Sequence, residues 1–195
     1  METMNYIKHI FAGLLMVLFT AGLQAQSKAE RKTQRKIERE LKKEARIQAL
    51  EDNHERIVAL VENRTFVIEA NTLYDRYQNR YEVSPTINFV KIDGDEGVVQ
   101  FGFNHLVGYN GVGGLTFEGR ISGYKITRKK SRGPITITTN ISSPGLSGPA
   151  TLNVTISDNG LARATIIGAF GSRITFAGTV YDLEETRVYQ GNTVL

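Results

Sequence analysis

Few residues in this chain combine the types and spacing that chemistry requires. Gly108, Gly111, Gly113 and Gly114 fall within seven positions, around Tyr109 and Asn110. Such a loop can point several backbone N–H groups at an anion or a ligand carbonyl. A phosphate loop, however, opens a helix and carries a Lys-Ser/Thr pair, whereas a strand pattern follows here and that pair is absent. The segment reads either as a turn whose glycines supply positive φ or as a ligand-facing loop of Tyr109, Asn110, Gly111, Gly113 and Gly114. Tyr74, Tyr77 and Tyr81 alternate with Arg76 and Arg80, which suits a surface for stacking on sugars or other rings. Aromatic cover over one end of a barrel is the plainer reading. Tyr74 and Tyr77 join the glycine loop as candidate ligand contacts.

The remaining candidates are weaker. Asp93, Asp95 and Glu96 offer oxygens without the ligand spacing of a calcium loop, and a hairpin tip accounts for them. Glu184 and Glu185 lie beside Arg187, where a surface ion pair is the default. His54 and His105 have no metal-ligand partner at useful spacing. The chain has no Cys, which excludes disulfides, thiolate metal sites and Cys nucleophiles. With no nucleophile, metal set or acid-base pair in evidence, the expectation is a protein that is not an enzyme and uses no cofactor or metal.

The elements that must position these residues are a helix and a run of strands. Residues 27–63 lack Gly and Pro and are rich in helix formers, with Ser27 as a plausible N-cap. Ile47, Leu50, His54, Ile57 and Val61 form one stripe that can dock on a core. Ile37, Leu41 and Ala45 form a thinner stripe out of register with it, so the front half is expected to project, solvated or in a coiled coil, and the back half to dock. From residue 64 to 195 the period becomes two and Gly frequent. Strands are expected at 65–70, 86–92, 97–104, 115–127, 134–142, 150–157, 162–168 and 173–180, joined by short turn-forming connections. Ile135, Ile137 and Ile141 alternate with Thr136, Thr138 and Asn140, giving one dry and one wet face. No helical stretch separates the strands, which argues for a single antiparallel meander of about eight strands. It must close as a barrel-like, lipocalin-like domain or fold over as a two-layer sandwich. Residues 182–191 read as a final turn or short helix stopped at Gly191 that plugs or latches the sheet.

At 195 residues the chain is long enough for one domain with a full core. Its formal charge of +4 is concentrated in one place: residues 28–46 hold nine Lys or Arg against four Glu, a net of +5. Residues 1–26 read as a signal peptide, with Lys8 before the apolar run 10–19 and a cleavage site near Ala25. The expected mature protein is periplasmic or secreted, with no stable membrane span and no nucleic-acid partner.

Four segments, FVIEANTLYD (66–75), INFVKIDGDEGVVQFG (87–102), NGVGGLTFEGRISGY (110–124) and LEETRVYQG (183–191), occur in this order. Together they resemble domain of unknown function 4251, a family of exported proteins from Bacteroidetes, from the second half of the helix to the C-terminus. The resemblance implies a lineage and an envelope location, and it brings no activity and no catalytic residues. The functional expectation is a non-enzymatic module that binds a small, partly apolar or ring-containing ligand. The alternative is a structural or interaction protein of the envelope that meets itself or another envelope protein through the basic helix between Ser27 and Ala45.

Overall fold

A computed structural model of the chain describes residues 2–103, 110–128, 133–144, 146, 148–168 and 172–193, with side chains from residue 30 onward. One helix, α1 (Glu2–Asn63), precedes nine strands. The chain divides into two compact units, Met1–Ala49 and Leu50–Leu195. In the first, every described side chain is exposed. Lys42 and Glu38 make an ion pair of 2.7 Å one turn apart, worth a few tenths of a kcal/mol (about 0.3–0.5) at such an exposed site. Ile37 and Leu41 stand open to solvent.

The second unit is a barrel. Its strands are β1 (Thr65–Tyr74), β2 (Arg80–Glu82), β3 (Phe89–Asp93), β4 (Glu96–Gly102), β5 (Gly114–Arg128), β6 (Ile135–Ser142), β7 (Ala150–Ile156), β8 (Leu161–Ile167) and β9 (Arg173–Asp182). All neighbours are antiparallel, and β1 also pairs with β9. That pairing closes β1 and β3 to β9 into an eight-stranded barrel rather than a sandwich. β2 takes the place beside residues 72–74 of β1 that β3, paired to residues 65–69, has left. Closure is tight at the seam. The register shifts between Ala70 and Thr72, and a Cβ on Gly178 would lie 1.8 Å from the Glu69 carbonyl oxygen, so only glycine lets the strands meet there.

The expected alternation fills the interior. Ile135, Ile137 and Ile141 of β6 and Leu152, Val154 and Ile156 of β7 are buried in one cluster with Phe66, Ile68, Val99 and Phe176, while Thr138 and Asn140 face solvent. Each such aliphatic side chain contributes about 1.5–3 kcal/mol of burial. The last turns of α1 close one end, where Ile57, Leu60 and Val61 join the same cluster. His54 Nδ1 lies 2.9 Å from Asp158 Oδ1 in the β7–β8 turn, and Asn53 donates to the Asp158 carbonyl at 2.6 Å. The docked stripe therefore starts at His54. Ile47 and Leu50, expected in that stripe, are both exposed. Arg64, at φ 59°, reverses the chain out of the helix. Its N–H donates to the Val61 carbonyl at 3.3 Å, an oxygen that also accepts from Tyr124 at 2.8 Å.

The C-terminal segment takes the turn and the latching role expected of it, without the short helix. A turn follows Asp182, and residues 186–193 then run without helix or strand. Their backbone groups are taken up by the barrel instead of by one another: Tyr189 N–H donates to the Thr86 carbonyl at 2.7 Å and Asn192 N–H to the Asn110 carbonyl at 3.1 Å. The segment is a strap on the outer wall. It covers a second, smaller cluster in which Val67, Phe89 and Val98 pack with Tyr181, Leu183 and Val188.

Candidate functional site

Strand direction decides where chemistry can gather. The helix, the β3–β4 turn and the β7–β8 turn occupy one end of the barrel. The opposite end is formed by the close of β4, β6 and β8 and the start of β5, β7 and β9. There the inward positions enclose a cavity of about 280 Å³ lined by Val99, Phe101, Phe117, Ile141, Ala150 and Ile166, with Leu146, Ile174 and Arg173 at its margin. Small-ligand sites run from roughly 300 to 1,000 Å³ and are mostly apolar with a few polar groups, so this cavity lies just below the lower end of that range. The Phe101 and Phe117 rings lie 6.4 Å apart and tilted at 41°, and Tyr81 of β2 meets Phe103 edge-on at 6.4 Å. Val99, Ile141 and Ala150 are buried whereas Arg173 is exposed, so polarity rises from floor to lip.

A second convergence of polar residues lies on the outer wall beneath the strap. Gln100, wholly buried, donates to the carbonyls of Ile87 (3.1 Å) and Tyr189 (2.8 Å) and accepts from the Thr116 hydroxyl (2.8 Å) and Gly191 N–H (2.7 Å). Asn88 bridges the Ser84 and Gly102 carbonyls and accepts from Gly102 N–H. Buried amides must be saturated in this way or cost their desolvation. Nearby, the Glu69 carboxylate accepts from the Thr186 hydroxyl at 2.8 Å and from Arg187 N–H at 3.1 Å. Every hydrogen-bonding site of Gln100 is occupied by protein, so this network fastens the strap.

The candidates read from the sequence do not form one site. Asn110 is buried, accepts from Val112 and Gly114 N–H, and donates to Thr116 and the Phe101 carbonyl. It folds the glycine turn back on itself, with Gly111 and Gly113 at φ 76° and 80°. Tyr109, like Gly108 and His105, lies outside the described residues. Tyr74 is on the outer wall with the Arg163 guanidinium 4.7 Å over its ring, in a shallow concavity shared with Asn71, Ser157 and Leu161. Tyr77 is exposed and carries Arg76 4.5 Å over its ring. It belongs to a turn held by Asp75, whose carboxylate accepts from Tyr77 and Asn79 N–H and from the Asn79 amide. Desolvation pushes the Asp75 carboxyl up, but hydrogen bonds from Asn79, Tyr77 and Tyr81 outweigh it and hold the group below its ordinary range. Among the described residues no hydrogen bond or ring contact joins these tyrosines to the glycine turn. What the sequence reading missed is the lining of the mouth: Phe101, Phe117 and Ile174 were strand residues like any others, and only barrel closure brings them together. Among the described residues no group of three or more His, Asp or Glu is placed to hold a metal, and no helix is long and apolar enough to cross a membrane.

Comparison with known proteins agrees with this architecture. The family described as Domain of unknown function (DUF4251) matches residues 48–180. A crystal structure of a DUF4251 family protein from Bacteroides eggerthii is similar at 29% identity and a TM-score of 0.57, over 69% of this chain and 90% of that one. No curated protein matches the chain.

Proposed function

This chain belongs to the DUF4251 family, and on that premise we propose that its barrel is a non-enzymatic binding module that takes one small, largely apolar ligand at the mouth opposite the helix. The apolar cavity of about 280 Å³ carries this reading. An eight-stranded barrel has an interior just large enough either to be filled by side chains or to hold one small ligand. Here Ile57, Leu60 and Val61 pack into the core at the helix end, and the cavity lies at the other end. Residues 1–26 support placing the mature protein outside the cytoplasm, in the periplasm or beyond.

The test is titration with N-phenylnaphthylamine, a neutral apolar fluorophore, in a protein that contains no Trp of its own. Saturable binding at one site, lost in Leu146→Trp while the thermal unfolding midpoint is retained, is the expected result. Fluorescence that stays linear with probe, or that Leu146→Trp leaves unchanged, would remove the mouth as the site.

A second reading, an interaction protein acting through α1, is favoured by one specific observation. On a helix of 3.6 residues per turn, the Lys and Arg at 31, 32, 35, 36, 39, 42, 43 and 46 all fall within an arc of about 140°. Glu30, Glu38, Glu40 and Glu44 fall outside it. Arg31, Lys32, Arg35, Lys36 and Arg39 border one surface concavity. A face this uniform suits an acidic partner, the glutamate side of a second copy included. Sedimentation at low and high salt tests it: a complex lost on adding salt or on deleting residues 27–45 is expected, and a monomer under all conditions rules out self-pairing.

A further inference from the structure

What shares the basic arc of α1, and what borders it, specifies the partner further. With Arg31 as origin and about 100° per residue, the Lys and Arg at 31, 32, 35, 36, 39, 42, 43 and 46 lie between 0° and about 140°. No other residue from 30 to 46 falls in that arc. All of these side chains are exposed, and at 1.5 Å per residue they form a straight ridge of charge about 24 Å long. Glu38 and Glu40 stand just outside its two edges, at about 340° and 180°, and Lys42 reaches across one edge to Glu38 at 2.7 Å. The far side, from about 220° to 320°, carries Glu44, Ile37, Glu30, Leu41 and Ala45 in angular order.

Resting on the reading of α1 as the surface that meets an acidic partner, we propose that this partner is an anionic lipid bilayer, on whose headgroups the helix lies along its basic arc without entering the hydrocarbon. A protein partner needs apolar or aromatic anchors at the centre of its interface, where charged residues are depleted, and the arc holds none. A nucleic-acid groove takes a helix between two phosphate walls, which brings Glu38 and Glu40 against like charge. A plane touches one side only. Flexible Lys and Arg stems spread over about 140° all reach it, while the Glu side faces water. Helices that insert into the interface do so by an apolar face, but here Ile37 and Leu41 lie opposite the cations and Glu30 falls between them. The attraction is therefore electrostatic, about fivefold in affinity for each cation near the surface, and is screened by salt.

The experiment is sedimentation of the full chain with vesicles of phosphatidylcholine alone or of equal parts phosphatidylcholine and phosphatidylglycerol, at low and high salt. The neutral vesicles account for whatever the apolar run 10–19 contributes. The expected result is a preference for the anionic vesicles that salt abolishes. Arg35→Gln with Arg39→Gln should weaken anionic binding about 25-fold, fivefold for each charge, and circular dichroism should show the helix retained, since Gln is a good helix former. Ile37→Ser with Leu41→Ser should leave it within about twofold. Equal binding to both vesicles, anionic binding that survives the arginine changes, or binding lost with Ile37 and Leu41 overturns the proposal. Tighter binding to a DNA duplex than to the anionic vesicles overturns it in favour of nucleic acid. Salt-sensitive binding to polyglutamate that needs Arg35 and Arg39, with no binding to vesicles, overturns the lipid assignment and leaves the acidic-partner reading standing. Binding to none of these removes both.

Discussion

The amide of Gln100 is saturated by hydrogen bonds to three separate stretches of chain: Ile87 ahead of β3, Thr116 on β5, and Tyr189 and Gly191 of the strap. Gln100→Leu keeps the volume and strands these partners, so it should destabilise the protein by about 2–4 kcal/mol in urea unfolding. A change below about 0.5 kcal/mol, the range of ordinary surface substitutions, would mean that water replaces the lost bonds. Tyr124 makes a second prediction. Burial pushes its phenol up to about 12, with the nearby Arg64 charge pulling the other way. Because the folded value lies above the ordinary 10, the contribution to stability is complete below pH 10 and is lost as pH rises from there toward 12. Phenolate absorbance should titrate with one late component near the upper value, absent in Tyr124→Phe; a Tyr124 that ionises with the exposed tyrosines contradicts the buried geometry. Neither residue stands out in the sequence. A Gln at a period-two strand position reads as an outward polar residue, and nothing local reveals that a segment some ninety residues later will cover it. Asn110 was legible as part of a turn, but not as the side chain that saturates that turn from within.

At the scale of elements, local pattern carried further. The eight barrel strands were readable because each is short and ends in turn residues, with alternation clearest in β6 and β7, and the switch from helix to strand falls between Asn63 and Thr65. β2 was not, since its three residues are all exposed and it exists only because β1 outruns β3. For 182–191 the turn and the latch were legible, whereas the extended course of 186–193 was not, because its backbone bonds go to Thr86, Gln100 and Asn110, groups remote in sequence. The four segments that carry the family resemblance meet here, through Glu69, Gln100, Asn110 and Gly191, so the signature records how the strap is fastened. Gly191 allows the close approach: a Cβ there would sit 2.2 Å from the Asn110 carbonyl oxygen. Gly191→Ala should therefore raise amide exchange at Tyr189 and Asn192 well before the barrel strands open, and unchanged protection would show that the strap has slack. The helix offers a paired test. Val61→Ala, within the core cluster, should cost about 2–4 kcal/mol. Leu41→Ala, 60% exposed, should stay within about 0.5 kcal/mol. Equal effects would contradict the docking described for the helix end.

For the whole molecule, an antiparallel meander of this length must hide an apolar face, and closure of β1 on β9 does so, leaving the three-residue β2 as an edge. The sequence left barrel and sandwich open, since both obey the same alternation; Gly178 and the register shift beside Asn71 decide between them by letting the first and last strands approach. The asymmetry between the two ends could not be foreseen, because it depends on which end receives the helix. That asymmetry makes ligand and stability one thermodynamic problem. A molecule that occupies the mouth binds only the closed barrel, since the floor residues Val99, Ile141 and Ala150 come from three strands that part on unfolding. At a free concentration a hundred times its dissociation constant, such a ligand should add about 2.7 kcal/mol to the unfolding free energy. For a domain of this size that is a rise of roughly 5–10 °C in Tm. N-phenylnaphthylamine should produce a rise that scales with the logarithm of its concentration, and Leu146→Trp, with the space already filled, should show none. A Tm that rises equally in the filled variant would place the ligand elsewhere, with the shallow outer concavity around Tyr74 and Arg163 the next surface to probe.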